Sequence, residues 1–224
     1  MPGIIKLSDG SNTVGLTVPN SLGSDKTITF PNETGTTALT TDVGLHHLYS
    51  VSANDQSTVD MFYSNTGWRA DKYHSFIVKM RWVRVATDDR RIYMALYYDD
   101  TLRTGTYEKN VSWNRIDASG TGGYNQVEST DYVDLSSGTT GTGTRENMSC
   151  TIEVVPAGDS FSAPSEGVLT WWNAYADVKY ENAKSWTADA RGQFDSTSWV
   201  NGIRIYTNGG NIAQGQFDFY GVRR

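Results

Sequence analysis

The sequence has 224 residues, of which 38% are hydrophobic and 12% aromatic, including 7 Trp and 13 Tyr. A chain of this length can form one full-sized core with a smaller appended segment, and it carries too many large side chains for a disordered polypeptide. Its formal net charge of -6 argues against a nucleic-acid-binding protein, because such proteins need a net basic surface to release counterions from phosphates.

Export and membrane insertion have no signal in the sequence. No apolar run reaches the roughly 18 to 20 residues that a membrane-spanning helix requires. Residues 1–6 lack the charged and apolar regions of a signal peptide. The single cysteine, Cys150, cannot form an intrachain disulfide, and we interpret it as a small core residue. We therefore expect a protein that folds in a cytoplasm without inserting into a membrane.

Residues 1–44 form a segment of a different kind from the rest. The segment contains three of the five prolines, and small alternating apolar sets precede Pro19 and Pro31. The set before Pro19 is Val14, Leu16 and Val18. Each set predicts a short strand that ends at its proline, which cannot continue a central β-ladder. So few apolar residues cannot form an isolated core, and we expect copies of the segment to associate around a shared axis.

Apolar and polar residues alternate with a period of two from residue 45 onward, which predicts half-buried strands. The clearest strand places Phe76, Val78, Met80 and Trp82 on one face. Val168–Val178 has large residues on both faces, which predicts a central strand covered on both sides. Further half-buried strands are predicted around Ile92, Met94 and Leu96, around Met148, Cys150, Ile152 and Val154, around Ile203 and Ile205, and around Phe217 and Phe219.

Turn-forming clusters separate these strands at Thr87–Asp89, Asp99–Asp100 and Asn208–Asn211. The Gly-, Ser- and Thr-rich stretch Ser119–Thr144 is expected to be a long loop or an extended hairpin tip. Many short antiparallel strands predict an all-β fold. Residues 45–224 are therefore expected to form one antiparallel β-sandwich, of the jelly-roll type.

Strong catalytic, cofactor-binding and metal-binding motifs are missing from the sequence. His46 and His47 are adjacent, so in a strand they point to opposite faces and cannot hold one ion together. His74 stands alone, and acidic pairs such as Asp88 and Asp89 fit turns better than a calcium site or a glycosidase carboxylate pair. We therefore expect no cofactor, no metal site and no enzymatic activity.

The surplus of aromatic residues is the most informative functional feature. Exposed planar rings stack on sugars or contact protein partners, although for any single ring burial or a subunit contact is favoured over ligand binding. Tyr124 is the strongest candidate, because it follows Gly122 and Gly123 in a Gly-rich stretch that should project outward. The candidate ligand-binding residues are Tyr97, Tyr98, Trp113, Tyr124, Trp171, Trp172 and Trp199.

Both ends of the chain resemble proteins of phage particles. Leu7–Pro19 (LSDGSNTVGLTVP), Thr27–Pro31 (TITFP) and Gly35–Asp42 (GTTALTTD) resemble the amino-terminal repeats of phage tail-fibre and virion structural proteins. The stretch Asn201–Val222 is similar to the closing strands of phage β-sandwich domains, which end in a comparable run of Gly, Asn and alternating apolar residues.

This resemblance implies a homotrimeric fibre, spike or decoration protein of the virion. Residues 1–44 would dock to other virion proteins or build a shaft, and residues 45–224 would form the knob. The expected function is attachment to a host-surface glycan or protein, with avidity from several copies. Two alternatives stay open, namely a capsid decoration or cement protein without a receptor and, less expected, a polysaccharide depolymerase.

Overall fold

The computed structural model describes most of the chain, and parts of it by the backbone alone. The described residues are 4–8, 13–17, 44–68, 72–98, 101–103, 107–117, 120–136, 140–143, 146–156, 168–180, 184–196 and 200–223. The chain divides into two compact units, Met1–Leu39 and Thr40–Arg224. This division lies a few residues before the boundary predicted after residue 44.

The first unit contains a β-hairpin in its described part. Strand β1 (Ile4–Ser8) pairs antiparallel with β2 (Thr13–Thr17), and Leu16 lies opposite Ile5. The strand predicted before Pro19 is therefore present as β2. The strand predicted before Pro31 lies outside the described residues.

The described part of the second unit is built almost entirely from β-strands. Only one short helix, α1 (Tyr63–Thr66), occurs among its described residues. The strands are β3 (Leu45–Gln56), β4 (Thr58–Phe62), β5 (Tyr73–Val85), β6 (Ile92–Tyr98), β7 (Thr101–Leu102), β8 (Tyr107–Asp117), β9 (Gly120–Thr130), β10 (Val133–Asp134), β11 (Asn147–Val155), β12 (Val168–Tyr180), β13 (Lys184–Ser196), β14 (Val200–Thr207) and β15 (Ile212–Arg223).

These strands form two antiparallel sheets of unequal size. The large sheet has eight strands in the order β3-β15-β5-β11-β12-β13-β8-β9. The small sheet has the order β10-β6-β14-β4, and β7 also pairs with β6. Strands β11, β12, β13 and β8 are joined through long continuous registers, so their residues form straight rows across the large sheet.

The hydrophobic core lies between the two sheets. Alternate residues of the strands point into it, as the period-two pattern predicts. The small sheet contributes Met94, Leu96, Ile203 and Ile205, and the large sheet contributes Val78, Met80, Cys150, Ile152, Phe217 and Phe219. The predicted antiparallel β-sandwich is therefore confirmed, and the only cysteine of the sequence is buried as expected.

Polar contacts also connect the two sheets. The backbone N–H of Leu96 in β6 donates to the hydroxyl of Tyr107 in β8, with 2.8 Å between the two atoms. The indole N–H of Trp186 in β13 donates to the carbonyl of Ser136 beyond β10, over 2.7 Å. Both donors are buried, so each bond satisfies a group that water cannot reach and helps to fix the position of one sheet on the other.

Strand β5 departs from the predicted pattern at Trp82, which was expected in the core but is 67% exposed. Between β5 and β11 the register shifts, with Met80 opposite Cys150 but Val83 opposite Met148. One extra residue in β5 therefore forms a β-bulge, and Trp82 adopts a left-handed φ of 52°. The bulge turns Trp82 outward and brings Val83 into the core.

The burial of two other strands also differs from the prediction. Strand β6 was expected to be half-buried, but all seven of its residues are buried. Its second face is closed by side-chain contacts, including the stacking of Tyr93 on Tyr132. Strand β12 was expected to be covered on both sides, but its odd-numbered residues Trp171 to Lys179 are exposed. Strand β12 has neighbouring strands on both sides, but no second layer among the described residues covers its outward face.

The Gly-rich stretch Ser119–Thr144 is not one long loop. Most of its first half forms β9, which pairs with β8 from Gly120 to Thr130, so the extended hairpin is the alternative that the structure supports. Bends connect the strands at Thr87–Asp89 and at Asn208–Gly210, as predicted. The turn predicted at Asp99–Asp100 lies outside the described residues.

Candidate ligand-binding groove on the large sheet

The outward side of β12 carries two exposed aromatic rings. Residues 170 to 179 alternate strictly between buried and exposed, because one side of the strand faces the core. Trp171 and Tyr175 lie on the open side with 55% and 53% of their surface exposed. Burying such rings against a partner is favourable, so a row of exposed rings on a rigid sheet indicates a binding surface.

A cavity of about 540 Å³ surrounds Trp171, and we call it the Trp171 groove. It crosses four adjacent strands, since β8, β11, β12 and β13 all contribute residues. Gln193 and Val155 lie directly opposite Trp171 on the two flanking strands. Besides these residues, the groove is lined by Glu108, Asn110, Trp172, Asn173, Arg191 and Gly192.

Polar side chains around Trp171 hold one another in position. The amide of Gln193 donates to Glu108 over 2.5 Å, and the amide of Asn173 donates to Glu153 over 3.3 Å. Each carboxylate keeps further acceptor positions, and each amide oxygen keeps its own. A flat apolar ring is thus surrounded by fixed groups that can accept hydrogen bonds from hydroxyl groups.

The guanidinium of Arg191 is oriented by a neighbour on the same strand. Its Nε and Nη2 donate to the two carboxylate oxygens of Asp189 over 3.0 Å and 2.9 Å. These hydrogen bonds and the charge of Asp189 raise the pKa of Arg191 above its ordinary value. The positive charge of Arg191 and the negative charge of Asp189 largely cancel. The pair therefore presents an ordered plane of hydrogen-bond donors to the groove with little net charge.

Gly192 makes room for the indole of Trp172, which lies directly opposite it in the register. A Cβ at position 192 would lie 2.3 Å from Cζ2 of Trp172 and 2.2 Å from the carbonyl oxygen of Glu108. No side chain larger than glycine fits there without movement of the backbone. Gly192 therefore allows β8, β12 and β13 to approach closely beneath the groove.

A second cavity, of about 300 Å³, lies farther along β11, β12 and β13. It is lined by Asn147 and Ser149 of β11, by Asp177 and Lys179 of β12 and by Thr187 of β13, among others. Tyr175 stands on β12 between the residues that line the two cavities. We call Trp171, Asn173, Tyr175, Asp177 and Lys179 the outward row of β12.

The structure separates the predicted site residues into three groups. Trp171 is exposed in a groove, as a stacking platform must be. The expectation of a free ring face is corrected for Tyr97, Tyr98 and Trp172, which are buried. Tyr98 packs against Phe194 across the sandwich, with 5.1 Å between ring centroids, and Tyr97 belongs to the covered face of the small sheet.

The backbone places two of the remaining candidates in one hairpin. Trp113 in β8 and Tyr124 in β9 lie opposite each other in the hairpin register, so Tyr124 belongs to a strand and not to a projecting loop. Their side chains lie outside the described part of the structure, and so does all of Trp199.

Sequence reasoning missed most of the groove. It also missed Tyr175 beside the groove, which shares the face of Trp171 because four residues separate them on a strand; this spacing could have identified it. The polar residues Glu108, Asn173 and Gln193 come from three strands, of which β8 is distant in sequence from the consecutive strands β12 and β13. Only their pairing in the sheet brings them together, and no local signal announces it.

No protein-family model matches this chain, and no curated protein or solved structure matches it either. Within the ranges that the structure describes, no group of three or more histidine, cysteine or acidic side chains is placed to hold a metal ion. In the same ranges, no helix is long and apolar enough to cross a membrane.

Proposed function

We propose that this protein is a virion attachment protein of a phage and that its β-sandwich binds a host-surface glycan in the Trp171 groove. The observation that carries the proposal is the exposed indole of Trp171 between hydrogen-bonded amide and carboxylate side chains. The phage context comes from the resemblance at the two ends of the chain. The homotrimer, with docking to other virion proteins through residues 1–44, is part of the same proposal.

The chemistry of the groove favours a sugar over an apolar protein segment. A pyranose offers an apolar face of C–H groups for the ring of Trp171 and hydroxyl groups at its edge for neighbours such as Glu108 and Asn173. A protein partner would need a much larger interface, roughly 800 Å² on each side, with a well-packed apolar centre. In the described part of this groove, Trp171 and Val155 are the exposed large apolar residues.

Binding to an array of bacterial capsular and cell-wall polysaccharides tests the proposal with the full-length protein. We expect at least one polysaccharide to bind, and Trp171→Ala to weaken that binding by at least about tenfold, the size of one good aromatic contact. Trp82→Ala is the matched control, because it removes another exposed indole of the large sheet. It should leave binding unchanged.

Several outcomes would contradict this assignment. Absence of binding to every polysaccharide, together with labelled antibody on the capsid and not on the tail, would favour a decoration protein. Release of reducing ends from the bound polysaccharide would instead reveal a depolymerase. Equal loss of binding in Trp171→Ala and Trp82→Ala would indicate non-specific adhesion of exposed rings.

The oligomeric part of the proposal has its own measurement. Light scattering of the full chain at micromolar concentration should report three copies. A monomer would contradict the proposed role of residues 1–44 in assembly. It would not affect the proposal that the Trp171 groove binds a glycan.

A further inference from the structure

The two cavities of the large sheet belong to one line of residues. The outward row of β12 lines the Trp171 groove at one end, through Trp171 and Asn173, and the second cavity at the other, through Asp177 and Lys179. Tyr175 separates these pairs and is 53% exposed. A strand rises about 3.3 Å per residue, so the row extends over ~26 Å.

The row alternates stacking surfaces with polar groups. Trp171 and Tyr175 lie four residues apart on one face, which places their backbones ~13 Å from each other. The side chains of Asn173, Asp177 and Lys179 stand beside these rings, and Ser149 and Thr187 flank the far end. This alternation matches a chain of linked sugars, in which apolar ring faces and hydroxyl edges repeat along the polymer.

The charges along the row nearly cancel. Asp177 and Lys179 have opposite charges and are neighbours on the same face, and Arg191 is paired with Asp189 beside the first cavity. Glu108 and Glu153 beside the Trp171 groove add negative charge. A strongly anionic polymer would need an excess of basic groups here. The surface is therefore better suited to an uncharged polysaccharide than to a polyanion.

From this arrangement we infer that the ligand of the large sheet is an extended, predominantly uncharged polysaccharide, which lies along the outward row of β12 and occupies both cavities. The inference rests on the proposed glycan-binding function and specifies it: the protein binds the interior of a polymer chain, not a single terminal sugar.

Chain length is the variable that tests the inference. The polysaccharide that binds on the array is partially hydrolysed, and size-fractionated oligosaccharides are titrated into the full-length protein by calorimetry. Affinity should rise with length until the oligosaccharide spans ~26 Å and then stay constant. Since an uncharged ligand forms no ion pairs with the protein, the affinity should also change little with ionic strength.

Variants along the row show whether both cavities are used. Tyr175→Ala and the double variant Asp177→Ala/Lys179→Ala should each weaken long oligosaccharides by about fivefold or more, while the affinity for a disaccharide stays the same. Tyr175→Phe keeps the ring and should bind like the wild type. Trp171→Ala should weaken every length.

The possible failures can be distinguished. If a disaccharide binds as tightly as a long chain and Tyr175→Ala has no effect, while Trp171→Ala still abolishes binding, the extended site is contradicted and the glycan-binding function survives. A steep loss of affinity with added salt would contradict an uncharged ligand. If no polysaccharide on the array binds, the proposed function fails and the inference fails with it.

Discussion

The outward face of the small sheet and the outward face of the large sheet around β12 have similar composition but opposite accessibility. On the small sheet Tyr97 is only 6% exposed to solvent, whereas on the large sheet Tyr175 is 53% exposed. Both faces carry tyrosine, arginine and aspartate. On the small sheet these side chains contact one another and close the surface. Along β12 of the large sheet the rings of Trp171 and Tyr175 stay exposed, although Arg191 pairs with Asp189 beside them.

Asp60 is the centre of the closed face. It accepts hydrogen bonds from Nε and Nη2 of Arg204, at 2.6 Å and 3.0 Å, and from the hydroxyl of Tyr97, at 2.8 Å. The guanidinium of Arg204 also lies 5.6 Å from the ring centroid of Tyr97, and Phe62 packs beside that ring. The network satisfies these polar groups internally and leaves little for a ligand to bind.

This difference shows that residue type alone does not separate a structural network from a binding surface. An arginine–aspartate pair occurs on both faces. Arg204 and Asp60 join two neighbouring strands and are partly buried, whereas Arg191 and Asp189 lie on one strand and are more exposed. We therefore expect the first pair to stabilise the fold and the second to order the groove.

The largest effect is expected from Asp60→Ala. The substitution leaves the partly buried guanidinium of Arg204 without its partner, and such a loss costs about 2–4 kcal/mol in the free energy of unfolding. Urea denaturation measures it. Asp189→Ala is the matched control and should leave the denaturation midpoint unchanged, because exposed pairs contribute little. Equal losses in both variants would contradict the difference between the faces.

Gly192→Ala should have the next largest effect. Its Cβ would collide with Trp172 and with the backbone of Glu108, so the strands beneath the groove must separate. We expect a loss of about 1–3 kcal/mol in the free energy of unfolding and weaker glycan binding. Thermal unfolding with unchanged stability would show that the sheet is less tightly packed here than described.

Trp82 offers a smaller and more specific test of the large sheet. Its φ of 52° is unfavourable for any residue with a Cβ. Trp82→Gly should therefore be more stable than Trp82→Ala by about 1 kcal/mol, since glycine alone adopts this conformation without strain. Chemical denaturation of the two variants measures the difference, and equal stabilities would mean that the bulge is not left-handed.

The pH dependence of stability should be modest, and Asp60 on the closed face should contribute part of it, beside Asp218 on the large sheet, whose pKa is also lowered. Burial alone would raise the pKa of Asp60, but hydrogen bonds from Arg204, Tyr97 and Thr58 and the charge of Arg204 outweigh it and hold the pKa below the ordinary value of 3.8. A lowered pKa contributes stability above the ordinary value, and this stability is lost as the pH falls through the folded-state pKa. Asp60→Asn should flatten this acid loss in urea titrations.

The same network acts in the opposite direction at alkaline pH. Burial, with the nearby Asp60, raises the pKa of Tyr97 to about 12. The stability that this shift contributes is complete below the ordinary value of 10 and is lost as the pH rises through about 12. Tyr97→Phe should remove that loss, and an unchanged alkaline transition would show that Tyr97 does not take part in it.

The sequence alone predicted the sandwich because strands that are buried on one face alternate apolar and polar residues with a period of two. The alternation around Met148, Cys150 and Ile152 shows this, and so does that around Phe217 and Phe219. Patterns of this kind depend on one strand and its immediate surroundings, and they are readable without knowing which strands are neighbours.

The features that escaped prediction depend on neighbours. The bulge at Trp82 appears only when β5 is aligned with its partner strands, and the burial of Tyr97 follows from Asp60 and Arg204 on other strands. In the same way, the row Val155, Trp171 and Gln193 requires the pairing of β11, β12 and β13. Trp171 could be nominated from the sequence, but its groove could not.

The most direct test of the account is an NMR measurement of contacts between Trp171 and a bound oligosaccharide. With isotope-labelled protein and the polysaccharide fragment selected on the array, we expect nuclear Overhauser effects from sugar ring protons to the indole protons of Trp171. Tyr97 and Tyr93 on the closed face should show none. A fragment that binds but shows its contacts on the small sheet, and none to Trp171, would contradict the account.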